Sequence, residues 1–224
     1  MNYLDKILKY PIHHALGGYD TSGGLEQNAN ELNQFCNWLV ENQIKTVLEI
    51  GMASGLLNKF LREEMGLQCF GINDKVVKGV TFLGNSQDRA IIDKVGNYDL
   101  IFVDGDHNLA KLDFLNYREK CKFMAFHDIC GLRDCGAVSE LWGVVKKVHK
   151  HWEFIDEANP GAMAGIGVIE IYWDFPEDED EIKNIEPEKI DIKVTGAKIT
   201  GIVGDTTFIE TKEKPKRKGR PKKK

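Results

Sequence analysis

Apolar residues in this chain fall into short blocks set apart by polar or glycine-rich breaks, and two rhythms alternate. Residues 46–50, 68–73, 80–84, 98–104 and 122–126 are compact apolar-rich runs, each of the length of a buried strand. Between them the spacing turns helical. Leu32, Phe35, Cys36 and Leu39 mark one face of a helix predicted over 26–42, and a second is predicted over 56–65, where Gly66 suits its C-terminal stop. Residues 85–88 lead into another, with Ser86 as its expected N-cap. Further helices are expected over 108–120 and 137–151, the latter with Val138, Leu141, Trp142, Val145 and Val148 on its apolar side. Runs at 152–155 and 167–172 add two strands, which brings the sheet to seven. Buried strands alternating with helices predict an α/β fold with a mostly parallel sheet. Residues 1–24, poorly periodic and rich in glycine over 17–24, are expected to form a flexible N-terminal segment that either covers a ligand site or is a mere leader. His13 and His14 there read most simply as solvated.

The first strand runs into Glu49-Ile50-Gly51-Met52-Ala53-Ser54-Gly55 and then a helix. Gly51 and Gly55 allow a tight turn in which backbone approaches a ligand closely. A strand, a glycine turn and a helix N-terminus form a cofactor cradle in doubly wound folds, although the same arrangement can also stand empty. Glu49 narrows the choice of ligand. A carboxylate at the strand end repels a pyrophosphate and suits an ammonium or sulfonium charge, and the third glycine of a dinucleotide fingerprint is missing. With these residues the chain resembles the class I S-adenosylmethionine (SAM) methyltransferases, whose first motif is acid-x-Gly-x-Gly-x-Gly. Ala53 replaces its middle glycine.

The resemblance implies a Rossmann-like, seven-stranded, mostly parallel sheet with helices on both faces, closed by an antiparallel hairpin, over roughly residues 25–173. It places Glu49, Gly51, Ser54 and Gly55 at the cofactor. It places Asn73 and Asp74, about 20 residues after the glycine turn, at the ribose hydroxyls. The family usually has an acid where Asn73 stands, and Asp74 also reads as a turn residue. Ser86 and Gln87 fall on the adenine side, where helix capping is the plainer alternative.

A second cluster follows the fourth and fifth strands. Asp104-Gly105-Asp106-His107 and His127-Asp128 put ionisable groups immediately after buried runs, at the sheet edge where such folds bind ligands. Neighbouring parallel strands lie about 4.8 Å apart, so Asp104, His127 and Asp128 are candidates to surround one ion. Their oxygen and nitrogen donors suit Mg²⁺, Mn²⁺ or Fe²⁺. These residues resemble a metal-assisted O-methyltransferase group that includes sugar and antibiotic-tailoring enzymes, with His127 a departure from its usual pair. The resemblance makes Asp104 a metal ligand as well as a cofactor neighbour, and Asp106 the general base. His107 competes for that role because an imidazole titrates near neutrality.

Composition and charge complete the expectations. No apolar run reaches the roughly 18 residues that would span a bilayer. The first residues lack a secretory pattern, and the five cysteines are odd in number, so a reduced, cytoplasmic protein is expected. Cys130 and Cys135 read as structural or free thiols, since no zinc partners show. Net charge is −5, but residues 212–224 hold nine of the 30 Lys/Arg and one of the 35 Asp/Glu; the remainder, with 21 and 34, stands at −13. An acidic run at 177–181 marks a boundary. Weak alternation over 188–211, with a turn at 203–206, predicts a small β appendage within 174–211. The end of the chain resembles an AT-hook, centred on Gly219-Arg220-Pro221, which implies contact with A·T-rich DNA; a generic basic tail binding nucleic acid non-specifically is the alternative.

The expected activity is methyl transfer from SAM to a hydroxyl of a small molecule or sugar, assisted by a divalent ion. Two alternatives stay open. One is metal-independent, with His107 as base oriented by Asp104. The other is a degenerate methyltransferase fold tethered to nucleic acid by its tail. A DNA-base methyltransferase is disfavoured, because no Asn-Pro-Pro-aromatic or Asp-Pro-Pro-Tyr motif follows the fourth strand.

Overall fold

A computed structural model of the chain describes residues 2–12, 24–131, 135–158 and 164–171, and the backbone of 192–194 and 197–199. It divides into two units, Met1–Trp173 and Asp174–Lys224. In chain order the first contains α1 (Leu4–Ile7), α2 (Ala29–Glu41), β1 (Thr46–Ile50), α3 (Leu56–Met65), β2 (Gln68–Asn73), β3 (Phe82–Leu83) and α4 (Arg89–Ile92). Then come β4 (Tyr98–Val103), α5 (Ala110–Tyr117), β5 (Cys121–His127), α6 (Gly136–Val148), β6 (His151–Phe154) and β7 (Ile166–Glu170). The seven strands form one sheet in the order β3-β2-β1-β4-β5-β7-β6. The first five are parallel, and β7 pairs antiparallel with both β5 and β6.

Alternation along the central strands builds two cores. Val47, Leu100, Phe102, Phe123 and Ala125 pack on one face with Leu32, Phe35 and Leu39 of α2 and Leu57, Phe60 and Leu61 of α3. Leu48, Ile50, Ile101, Val103, Met124 and Phe126 pack on the other with Phe114 and Tyr117 of α5 and Leu141, Trp142 and Val145 of α6. Each such side chain contributes roughly 1.5–3 kcal/mol of burial, which is why the strands read as continuous apolar runs. The strand order reverses between β1 and β4, and the crevice there lies at the carboxyl ends of parallel strands, where doubly wound sheets bind ligands.

Several local expectations change. Within the segment expected to be flexible, residues 2–12 include the α1 turn, with Tyr3 and Ile7 buried and the Tyr3 amide donating to Asn33 Oδ1 at 2.8 Å. A four-residue helix is too short to show a period; burial of two side chains holds it. His13, His14 and the glycines of 17–23 lie outside the described residues. The third strand is only Phe82–Leu83, because Gly84 leaves it at φ +145°. The cap of α4 is Asp88, which accepts from the Ala90 amide, and not Ser86. Ser86 instead offers its carbonyl to the Tyr117 hydroxyl at 2.7 Å.

In the second unit the described backbone is an antiparallel pair, β8 (Ile192–Val194) and β9 (Ala197–Ile199). The acidic run 177–181, the turn at 203–206 and the basic tail 212–224 lie outside the described residues. Among the described residues no helix is long and apolar enough to cross a membrane.

Candidate active site

The glycine turn after β1 is shaped by contact with β4. Gly51 has φ +83°, and a Cβ there would meet Gly105 Cα at 2.3 Å and Asp104 O at 2.5 Å. The two strand ends are tied by the Asp104 amide donating to Ile50 O at 2.9 Å. Ala53, which stands where the resemblance has a glycine, adopts φ +42°. The backbone therefore keeps the left-handed bend although the residue carries a Cβ, at a cost of about 1–2 kcal/mol.

Glu49, Gly51, Met52, Ser54 and Asp104 line a cleft at this edge, together with Gly24 and Gln27. Glu49 is 3% exposed, and its Oε2 has no hydrogen-bond partner. Burial, with the nearby Asp104 charge adding to it, pushes the Glu49 carboxyl up to about 8. Gln27 donates from Nε2 to Asp104 Oδ2 at 2.7 Å, while its Oε1 is buried without a partner. Two oxygens of cleft-lining residues are thus buried without partners, and unpaired polar atoms in a buried site favour a ligand that completes their hydrogen bonds. Ser54 Oγ donates to Gly24 O at 3.1 Å, which draws residues 24–27 across the turn.

The remaining cofactor candidates are placed differently. Gly55 caps α3 at φ +76°. Asn73 accepts from the Met52 amide at 3.1 Å and so braces the glycine turn, while Asp74 is exposed. Gln87 donates to Asp113 Oδ1 at 2.6 Å and accepts from Asn116 at 2.8 Å, which ties it and Ser86 to α5. Burial pushes Asp113 up to about 6, against the hydrogen bonds from Ser86 and Gln87.

The tips of β4 and β5 meet. His127 Nδ1 lies 3.1 Å from Asp104 Oδ1 and 3.2 Å from Asp128 Oδ2. His107 Nε2 reaches the same Asp128 oxygen at 3.0 Å. Asp128 has φ +64°, a conformation that costs a non-glycine residue of order 1 kcal/mol and aims its carboxylate into the group. Burial opposes charge on His127, which is 4% exposed, but the two carboxylates outweigh it and hold its pKa well above the ordinary value. The hydrogen bond that His107 donates to Asp128 raises the His107 pKa, against partial burial. Burial would raise Asp128, yet the charge of His127 and the bond from His107 bring it far below the usual carboxylate range. Asp106 is exposed and caps a 3-10 turn at His107–Leu109, where its Oδ1 accepts from the Asn108 amide at 3.0 Å. The carboxylate that orients His107 is Asp128, not Asp104 as the metal-free alternative expected.

Asp104, His127 and Asp128 fit a divalent ion. Their donor atoms lie within 4.8 Å of one another, and the 3.1 and 3.2 Å spacings match adjacent ligands of an octahedral ion with bonds of about 2.1 Å.

Gln27 went unrecognised in the sequence, and Cys135 reads there only as a structural or free thiol. Gln27 precedes the Asn28 cap of α2 and belongs to no motif. Cys135, at the start of α6, lies 3.4 Å from His107 Nδ1, and burial, with Asp128 adding to it, pushes its thiol up to about 11. Its partners come from loops after two other strands, so no spacing could announce them. A third group is also new. Glu31, fully buried, accepts from the amides of Asp156 at 3.1 Å and Gly165 at 2.9 Å, and so pins both sides of the β6–β7 loop.

No protein-family model matches the chain, and no curated protein matches it. Solved structures do share its fold. A Klebsiella pneumoniae protein provisionally described as an O-methyltransferase aligns with TM-score 0.51 at 14% identity over 75% of this chain and 89% of its own. Cofactor-bound Rv0187 from MTB aligns with TM-score 0.52 at 13% identity over 67% and 84%. The O-methyltransferase TomG from Streptomyces achromogenes, involved in tomaymycin synthesis and solved with SAM, aligns with TM-score 0.50 at 12% identity over 66% and 82%. The sheet and its helices are the Rossmann-like methyltransferase fold of these neighbours.

Proposed function

We propose that this chain transfers a methyl group from SAM to a hydroxyl oxygen of a small-molecule or sugar acceptor. One observation carries the reading: Glu49 Oε2 and Gln27 Oε1 stand buried and unpaired beside the glycine turn. A cofactor bearing an ammonium and a sulfonium supplies the donors and the positive charge that this cleft lacks, whereas a pyrophosphate would be repelled. The SAM complex of the TomG neighbour supports the choice.

The residues divide the work. Glu49 and Gln27 receive the amino-acid end of the cofactor, and Gly51 lets backbone approach it. SAM, when bound, supplies an electrophilic methyl. Asp104, His127 and Asp128 would hold a divalent ion, whose chemistry is to polarise the acceptor oxygen and lower its pKa. Asp128 orients the His107 imidazole, which takes the acceptor proton; Asp106 is the other base candidate. Alignment of donor and acceptor supplies much of the acceleration. A metal-free version rests on the same geometry: an imidazolium at His127, 3.1 Å from Asp104 and 3.2 Å from Asp128, would itself place positive charge at the strand tips. Activity that survives exhaustive chelation selects that version.

Calorimetry with SAM, S-adenosylhomocysteine and NAD tests the core reading. SAM and S-adenosylhomocysteine are expected to bind and NAD not. Glu49→Gln should weaken SAM at least about tenfold, the scale of one lost charge-assisted hydrogen bond. Failure of SAM to bind, or equal affinity in Glu49→Gln, overturns it. Residues 212–224 are proposed to contact nucleic acid through charge. Their deletion should abolish salt-sensitive DNA retention and leave SAM affinity unchanged.

A further inference from the structure

Asp104, His127 and Asp128 bring a nitrogen and two carboxylate oxygens together, and the nitrogen is close to both oxygens. His127 Nδ1 is 3.1 Å from Asp104 Oδ1 and 3.2 Å from Asp128 Oδ2. An ion held by both carboxylates therefore has to take Nδ1 as a ligand or push the ring aside. The fold resists such a push. His127 is the last residue of β5, is 4% exposed, and pairs in register with Ile166 of β7. The Phe102 ring lies 6.4 Å away between centroids, and Nε2 of His127 is buried.

The two carboxylates are set by their own neighbours. Gln27 donates from Nε2 to Asp104 Oδ2 at 2.7 Å, which leaves Oδ1 turned toward His127 Nδ1. Asp128 has φ +64°, and its Oδ2 accepts from His107 Nε2 at 3.0 Å. Outer contacts of this kind orient metal ligands and tune their affinity. With both carboxylates ionised and the imidazole neutral, the set offers two negative charges and a nitrogen lone pair. Mg²⁺ and Ca²⁺ demand oxygen. Imidazole suits late first-row ions, and affinity for a mixed nitrogen and oxygen set rises from Mn²⁺ through Fe²⁺ to Co²⁺ and beyond.

We propose that His127 decides which ion these strand tips take: its nitrogen selects a first-row transition ion of the Fe²⁺, Co²⁺ or Zn²⁺ class over Mg²⁺ and Ca²⁺. A carboxylate in its place would complete an all-oxygen trio and favour the hard ions. The buried ring leaves no such choice, because Nδ1 is held beside both carboxylates by the packing of β5. The inference rests on the divalent-ion reading of these three residues and not on SAM, so ion and cofactor are measured separately and no activity is needed.

The full-length protein, stripped by chelation and dialysed, is titrated calorimetrically with Co²⁺ and with Mg²⁺ in the absence of SAM. Co²⁺ is expected to bind at about one ion per chain and at least about a hundredfold more tightly than Mg²⁺. Mn²⁺ loaded on the wild-type chain should show electron spin echo modulation from a directly bound nitrogen. His107→Gln should keep that signal, and His127→Asp should abolish it. His127→Asp should also cut the preference for Co²⁺ over Mg²⁺ at least about tenfold. Near-ultraviolet circular dichroism of each stripped variant reports whether it folds; if His127→Asp does not, the nitrogen signal of the wild type decides alone. A preference below about tenfold, no nitrogen signal in the wild type, its loss in folded His107→Gln, or an unchanged preference in folded His127→Asp overturns the proposal. SAM titrated into the same stripped protein keeps the two readings apart. SAM binding without Co²⁺ binding overturns the ion selectivity alone, and Co²⁺ selectivity without SAM binding overturns the cofactor reading alone.

Discussion

At the scale of single residues, Glu49 makes the sharpest prediction. Folded, its carboxyl keeps a proton up to about pH 8; unfolded, it loses that proton near 4.5. Between those values the folded state binds more protons, so stability of the cofactor-free protein should fall as pH rises from 4.5 through 8. The loss is on the order of a few kcal/mol, and Glu49→Gln should flatten it in denaturation curves taken across that range. Cofactor binding runs the other way. An incoming cation stabilises the ionised carboxylate, so SAM affinity should climb with pH, and calorimetry at pH 7 in buffers of different ionisation enthalpy should register proton release. In the proposed function, His107 and Asp128 are the proton-handling pair. His107→Ala should lower kcat by about 10²–10⁴, as loss of a general base does, with little change in SAM affinity. Gly51→Ala drives a Cβ into Gly105 and should cost roughly 2 kcal/mol or more in a denaturant midpoint.

Elements show what could be read from the sequence and what could not. The central strands were legible because both faces are buried, so each appears as an unbroken apolar run. The seven-stranded sheet with its antiparallel closure follows from those runs and from the resemblance. The acids at the tips of β1, β4 and β5 were legible too, since ionisable groups right after a buried strand have few other uses. Shorter features were not. Helix α1 and strand β3 are too brief for periodicity, and Asp88 outcompetes Ser86 as a cap only because the helix begins at Arg89. The contacts of Cys135, Gln27 and Glu31 were invisible for a different reason: their partners are 28, 77 and 125 or 134 positions away in sequence. Such pairings exist only once the sheet has gathered its loops. Glu31 gives the element-scale prediction. Glu31→Ala leaves the amides of Asp156 and Gly165 buried without an acceptor and should destabilise the protein by about 2–4 kcal/mol in chemical denaturation. Amide exchange of those two residues should rise with it.

At the scale of the whole molecule, the described cores lie in one unit. Both cores and every residue placed at the candidate site belong to Met1–Trp173. A chain ending at Trp173 should therefore unfold cooperatively at the same midpoint and bind SAM with unchanged affinity. A shift of more than about 1 kcal/mol would show that the remaining residues contribute to the fold. The candidate site itself sits where the strand order reverses, so its parts arrive from opposite halves of the sheet.

One feature of α2 has a kinetic consequence. Its leading residues grip both rims of the site: Gln27 holds Asp104 beside the donor cleft, and Glu31, with Asn28 and Asn30 on Asp156, holds the loop between β6 and β7. A donor molecule that displaces the Gln27 contact would pull on the same helical turn that sets the far rim. Turnover should then be sequential and compulsory in order, donor before acceptor, with S-adenosylhomocysteine competing against SAM alone. Replacing Gln27 by alanine should uncouple the rims and relax that order toward random addition.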